Sequence, residues 1–155
     1  MLNEGEVDMA ISINATKYPA SLNATFYGTD DLVIYYDPAM RGPIETPYDY
    51  AQARHGVAGF GGTTKSIVEI ALEELGLQRQ VAFVSPTAST LGEFIVGTDI
   101  IATMPRGLAD GVYSGLAYCE PPVPLPALRY DLVWHRRFDQ SGRNTWIRNV
   151  VLDYA

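Results

Sequence analysis

The tightest constraint on this chain is the order of patterns between residues 55 and 105. Residues 55–59 read as a strand, and Phe60-Gly61-Gly62 as the tight turn that ends it. A stripe at helical spacing follows: Ile67, Ile70, Ala71 and Leu75, widened by Val68 and Leu72. The helix is expected over about 64–75, with Thr63 as N-cap and Gly76 at the left-handed C-cap position. Residues 80–84 read as the next strand. Ser85-Pro86 then reads as an N-cap plus first-turn proline, opening a helix through about Val96 with Leu91, Phe94 and Ile95 toward the core. Residues 99–104 form a further strand, and Pro105 opens a short helix. Alternation of this kind with short connections specifies α/β architecture, a parallel sheet and right-handed crossovers.

The flanks are less regular. Residues 7–13 (VDMAISI) and 32–36 (LVIYY) are short apolar runs and read as strands, with 14–23 as a loop or crossing segment. Prolines 43 and 47 with Gly42 mark a loop, and a short helix follows over 48–53. Residues 120–126 carry four prolines in seven positions, so that stretch is extended and is not a central strand. Residues 128–136 return as a strand. A closing helix over 144–155 would carry Trp146, Ile147, Val150, Val151 and Tyr154 on one side.

Composition narrows the function classes. At 155 residues, 47% apolar and 19% charged, the chain is globular and holds one domain or two small lobes. Eleven basic against 18 acidic residues give a net charge of −7, so the chain by itself is a poor partner for nucleic acid. The single cysteine, Cys119, excludes an internal disulfide framework and fits a reducing compartment. No apolar run is long enough to span a membrane, and the acidic start has no signal-peptide core, so the expected location is cytoplasmic.

The motifs exclude more than they assign. Gly59-Phe-Gly-Gly-Thr-Thr-Lys-Ser66 has Thr64 where a P-loop and a dinucleotide fingerprint both need glycine. What survives is general. Helix N-termini near Thr63 and Pro86 would share one sheet edge, where free N–H groups and partial positive charge can hold a carboxylate. His55 is either a satisfied, half-buried core histidine or a hydrogen-bond donor to an acidic small molecule. His135 reads as structural. Two isolated histidines and one cysteine offer no metal-ligand spacing. Ser114-Gly115 misses a nucleophile elbow by one position, and Cys119 lacks a partner motif. No acid, base and nucleophile assemble, so no catalytic residue, metal or cofactor is assigned.

Four segments in register carry a resemblance. Leu2-Asn-Glu-Gly5-Glu-Val-Asp8-Met-Ala10-Ile11 resembles the L-x-x-G-x-x-D-x-A-I segment of LysR-type transcriptional regulators. Arg79-Gln-Val-Ala-Phe-Val-Ser-Pro86 is similar to a strand-to-helix step in their effector domain. Gly97-Thr-Asp-Ile-Ile-Ala-Thr-Met-Pro105-Arg106 resembles a later strand ending in proline. Leu132-Val-Trp134-His135-Arg-Arg with Trp146-Ile147-Arg148 resembles the closing strand and helix. His55-Gly-Val and the Thr98–Pro105 run are most similar to the branch that senses aromatic acids and flavonoid-like inducers.

The resemblance implies a periplasmic-binding-protein-like (type 2) fold of two α/β lobes joined by crossing strands, with an inducer in the cleft. Matched onto this chain, the second lobe is residues 26–116, and the first is 1–25 with 117–155. The first lobe is expected to be incomplete, lacking a strand, a helix and a Ser/Thr-bearing loop, and so to expose apolar surface. Effector-binding positions carried over are Ser12, His55, Phe60, Thr63, Thr87 and Pro105. Some relatives place a second histidine where this chain has Thr87, so the inducer is expected to differ. The implied partners are a small aromatic or carboxylated inducer and further copies of the regulator. DNA is contacted only through a winged helix-turn-helix that is not in these residues, and no membrane is involved. Two competing classes are a transporter's solute-binding protein and a small enzyme such as a prephenate-dehydratase-like domain. The first would carry a secretion signal and the second a carboxylate and hydroxyl cluster.

Overall fold

Five consecutive buried side chains, Leu32–Tyr36, form the strand (β3) around which half of the protein is organised. The computed structural model describes residues 1–2, 4–13, 17–59 and 66–154. Phe60 and Thr63 lie outside the described residues. The chain divides into two compact units, Met1–Asp30 with Leu128–Ala155, and Asp31–Ala127.

The first unit is an antiparallel sheet of β1 (Met9–Ile13), β8 (Leu128–His135) and β2 (Leu22–Asp30), with β8 in the middle. β2 was expected to be partly loop. Its side chains alternate between half-buried and exposed, so it shows no apolar run, and a bulge at Phe26/Gly28 breaks its register. Its pairing with β8 continues to Asp30, which places residues 26–30 in this unit.

Helix α4 (Gly142–Asp153) corrects the expected apolar side. Its buried residues are Asn144 and Arg148, whereas Trp146 is 67% and Tyr154 84% exposed. The cause is Trp134 on β8. Arg148 lays its guanidinium over that indole at 4.6 Å and bonds to the Phe138 carbonyl and the Thr145 hydroxyl. A cation seated on an aromatic face with its polar edge satisfied can take an inward position that periodicity assigns to aliphatic residues.

The second unit holds β3, α1 (Pro47–Gln52), β4 (Arg54–Ala58), α2 (Ile67–Glu73), β5 (Gln80–Ser85), α3 (Ala88–Ile95), β6 (Ala102–Pro105), a 3-10 turn at Arg106–Leu108 and β7 (Ala117–Cys119). The expected parallel sheet is present as β4 beside β5, and a parallel bridge from His55 to Ile101 brings in the chain that becomes β6. β3 runs antiparallel to both β6 and β7. Three-residue β7 was not legible. Its pairing with β3, and the packing of Val123 and Leu125 into the core, place residues 117–127 in this unit.

Alternate side chains of β3 supply two cores. Ile34 and Tyr36 pack with Tyr50, Leu72 and Ile101; Val33 and Tyr35 pack with Leu91, Ile95 and Tyr113. A strand buried on both faces reads as a continuous apolar run, which is why LVIYY was recognisable. Each fully buried aliphatic side chain contributes about 1.5–3 kcal/mol.

Both expected helix starts move. Helix α2 is capped by Ser66, not Thr63, through a capping box in which the Ser66 hydroxyl accepts from Glu69 N–H and the Glu69 carboxylate accepts from Ser66 N–H. Arg79 braces the box, donating to Ser66 Oγ at 3.0 Å and Glu69 Oε1 at 2.9 Å. Helix α3 is capped by Thr87 instead of Ser85, because Ser85 is still strand and Thr87 has the extended backbone of a cap. Phe94, expected inside, is 49% exposed and packs on Phe83 with ring centres 4.2 Å apart.

Candidate functional site

Parallel strands deliver their carboxyl ends to one edge. Ala58 pairs with Ser85, and the Gly59 N–H donates to the Ser85 carbonyl at 2.8 Å. Beside β4, Gly56 N–H donates to Ile101 O at 2.8 Å and Ile101 N–H to Arg54 O at 2.9 Å. The chain through Ile101 therefore runs the same way, and Pro105 ends it at the same edge. β3 begins there too, since Leu32 pairs with Pro105 and Arg106 N–H donates to Asp31 O at 2.8 Å.

Ser85 and Thr87 shape this rim. Ser85 is fully buried, and its hydroxyl donates to the Thr87 carbonyl at 2.8 Å, which turns the chain between strand and helix. The Thr87 hydroxyl accepts Thr90 N–H at 3.1 Å. The N–H groups of Ala88 and Ser89, in the first turn of α3, have no acceptor within the helix and sit at its positive end. Such a turn at the carboxyl edge of parallel strands can receive a carboxylate.

Pro105 serves the rim through its backbone. Its carbonyl accepts the hydroxyl of the fully buried Tyr35 at 3.0 Å, and the Arg106 carbonyl accepts the same hydroxyl at 2.9 Å. Arg106 pairs with Glu120 and lies over the Tyr118 ring at 5.3 Å. This cation at the rim was missed. Its sequence signal is the Pro105-Arg106 dipeptide, whose proline alone carries the strand-end pattern.

His55 stands deeper. It is 1% exposed, its ring 5.0 Å from that of Tyr50, and its Nε2 lies 2.7 Å from the Tyr50 carbonyl. A carbonyl oxygen only accepts, so Nε2 carries the proton and donates. Nδ1 is then an acceptor, and it is buried with no hydrogen-bond partner among the described residues. Burial pushes the His55 pKa down to about 4, opposed by the bond to Tyr50 and aided by the cations Arg79 and Arg41, so the ring is neutral near pH 7.

Ser12 lies within β1 and belongs to the first unit. It pairs across the sheet with Asp131, a buried carboxylate that accepts from Tyr18 Oη at 3.0 Å and from Arg129 Nε at 3.0 Å. Thr87 and Pro105 are thus brought to one rim in the second unit, with His55 behind it, while Ser12 sits in a separate polar network.

The remaining candidates take structural places. The His135 Nδ1 accepts Arg137 N–H at 3.1 Å at the start of a short 3-10 turn. Cys119 is bonded to the Ile44 backbone, and burial raises its thiol pKa, which leaves it a poor nucleophile. Among the described residues no group of three or more His, Cys, Asp or Glu is placed to hold a metal ion, and no helix is long and apolar enough to cross a membrane.

Comparison with known proteins gives this geometry a family. The chain is 26% identical over 163 residues to the HTH-type transcriptional activator NahR of Pseudomonas putida, covering 98% of this chain and 52% of NahR. It is 32% identical over 159 residues to Nodulation protein D 1 of Sinorhizobium fredii, covering 100% of this chain and 49% of that protein. The chain thus spans about half the length of the curated relatives it matches. The regulatory domain of MexT, a transcriptional activator of Pseudomonas aeruginosa, superposes with a TM-score of 0.87 at 26% identity, over 99% of this chain and 77% of that one. NahR and MexT are transcriptional activators, not enzymes, and the shared fold is periplasmic-binding-protein-like, type 2. With the model of the LysR substrate binding domain matching residues 1–155, the chain belongs to that family.

Proposed function

We propose that this chain is the sensor of a cytoplasmic transcription regulator, and that it binds a small aromatic carboxylate at the rim of the second unit. The observation that carries the reading is the first turn of α3, which presents the Ala88 and Ser89 amides at the carboxyl edge of parallel β4 and β5. Thr87 sets that turn and Pro105 lies along the same edge. Phe60 and Thr63 are assigned to the site from the family resemblance alone. DNA contact is assigned to a longer protein because NahR, of which the chain spans 52%, is named an HTH-type transcriptional activator, and assembly with further copies is assigned from the family resemblance alone. The bound compound would shift the regulator only by favouring one arrangement of it over another.

A charge placed on the rim tests this. Ser89 is exposed in the first turn of α3, so Ser89→Glu adds a negative charge where the helix tolerates it, worth about 0.3–1 kcal/mol of stability. The same charge occupies the amides. The expected result is an unchanged or slightly higher Tm, with benzoate affinity by calorimetry reduced tenfold or more. Undiminished benzoate binding by Ser89→Glu would remove the α3 turn from the site.

We also infer that the first unit is completed in the longer protein. Among the described residues, Leu132 and Val133 are the only buried hydrophobic side chains in it, and Ile11 and Ile13 on one sheet face and Phe26 on the other are about half exposed. In the 155-residue chain, amides of β1, β2 and β8 are expected to exchange with deuterium well before those of β3. Equal protection in both units of a monomer would contradict the inference.

A further inference from the structure

The end of the second unit opposite the rim is hollowed as well. A cavity of about 690 Å³ lies at the amino ends of the parallel strands, where β4 begins at Arg54, β5 begins at Gln80 and Asp99 leads toward β6. Its volume is that of a small-molecule site, about 300–1,000 Å³, yet only Pro43 and Ala53 among its lining residues are apolar. Helix α1 turns one face to it, with Asp49, Gln52 and Ala53 at i, i+3 and i+4. Five charged side chains line the cavity, and two of them cancel, since Arg54 Nη1 pairs with Asp99 Oδ1 at 2.9 Å. Arg41, Glu45 and Asp49 have no ionic partner among the described residues. Arg41 donates to carbonyls only, those of Gly42 at 3.3 Å and Asp99 at 3.4 Å, which orients its guanidinium without neutralising it. The Asp49 carboxylate accepts the Thr46 hydroxyl at 2.6 Å and keeps its charge. One unpaired cation and two unpaired anions thus face one cavity without meeting each other.

We propose that this cavity is a second ligand site, for a diamino carboxylate of the size of a basic amino acid. The occupant mirrors the free charges: its carboxylate takes the planar fork of Arg41, and its two ammonium groups take Glu45 and Asp49. The Gln52 and Gln80 amides remain to bond its polar edges. No residue is shared with the rim, so the two sites stand or fall separately. The lining charges are open to water, so each ion pair adds only about two- to fivefold to affinity, and added salt weakens all of them.

Nitrogen-15 NMR titration of the chain with L-lysine tests the proposal. Cadaverine, which lacks the carboxylate, and hexanoate, which lacks both ammonium groups, serve as comparison probes. Lysine is expected to shift the amides of Arg41, Glu45, Asp49, Arg54, Gln80 and Asp99 saturably, with a Kd of roughly 1 mM. At the same amides cadaverine is expected to bind about two- to fivefold more weakly, and hexanoate more weakly still. Arg41→Gln and Glu45→Gln alter side chains outside the core, and each is expected to weaken lysine by about two- to fivefold. Unmoved amides at about 20 mM lysine, well above a Kd of about 1 mM, would overturn the assignment. So would cadaverine or hexanoate matching lysine, or lysine affinity unchanged in both variants. The comparison of the three probes needs only the wild-type chain, so it decides the matter even where a variant fails to fold.

Discussion

Replacing Gly92 with alanine is expected to destabilise the second unit by about 2 kcal/mol, although alanine is the better helix former. Gly92 is buried in α3. A Cβ there would meet Tyr113 at 2.4 Å from Cε1 and 2.6 Å from Cδ1, with the Val112 carbonyl at 3.3 Å. The ring has little room to retreat. Its hydroxyl donates to the Ala88 carbonyl at 3.0 Å, and its ring meets that of Tyr35 edge-on at 4.6 Å. Helix propensity favours alanine by about 1 kcal/mol. Overpacking a filled core costs about 1–3 kcal/mol or more, and contacts this short belong at the upper end. Urea unfolding measures the difference. Stability equal to or above wild type would show that Tyr113 moves aside cheaply.

The second large effect is a loss of stability on mild acidification. His55 has an ordinary pKa near 6.5 when the chain is unfolded and about 4 in the native protein. Its contribution is complete above 6.5. As pH falls from 6.5 toward 4 the unfolded chain takes up a proton that the folded chain refuses, and the contribution is lost. The shift corresponds to about 3 kcal/mol across that window. Asp37 and Asp139 are held below the usual carboxylate range, Asp37 chiefly by the Gly97 N–H and Asp139 chiefly by Trp134. Their stabilisation is present above the unfolded carboxylate pKa and is lost only at still lower pH. Unfolding free energies at pH 7, 5.5 and 4.5 are expected to decline steeply in wild type and much less in His55→Gln. Parallel pH profiles for the two proteins would exclude His55 as the source.

Much of the second unit was legible because its local signals agree with its tertiary role. Leu32–Tyr36 is buried on both faces, and the alternation from β4 to β6 leaves little freedom of topology. The misses have physical causes. Ser66 and Glu69 form an S-x-x-E signature that identifies the start of α2, but Thr63 competes with it as a hydroxyl directly after the glycine pair. Pro86 suggested a helix start, yet Ser85 spends its hydroxyl on the Thr87 carbonyl and leaves capping to Thr87. α4 defeated the periodicity because an arginine on an indole replaced aliphatic packing. At the site, the rim followed from strand order. The polarity of His55 did not, because it is set by a carbonyl five residues upstream that only the folded chain brings near.

The placement of Trp134 and Trp146 has a spectroscopic consequence. They are the only tryptophans in the chain, and both belong to the first unit. Indole emission therefore follows that unit alone, with Trp146 bathed in solvent and Trp134 covered by a guanidinium. Melting of the other half registers only through its tyrosines. Because Tyr18, Tyr27, Tyr130 and Tyr154 melt with the first unit, a fluorescence trace that plateaus while tyrosine dichroism is still changing would record the two halves coming apart in sequence.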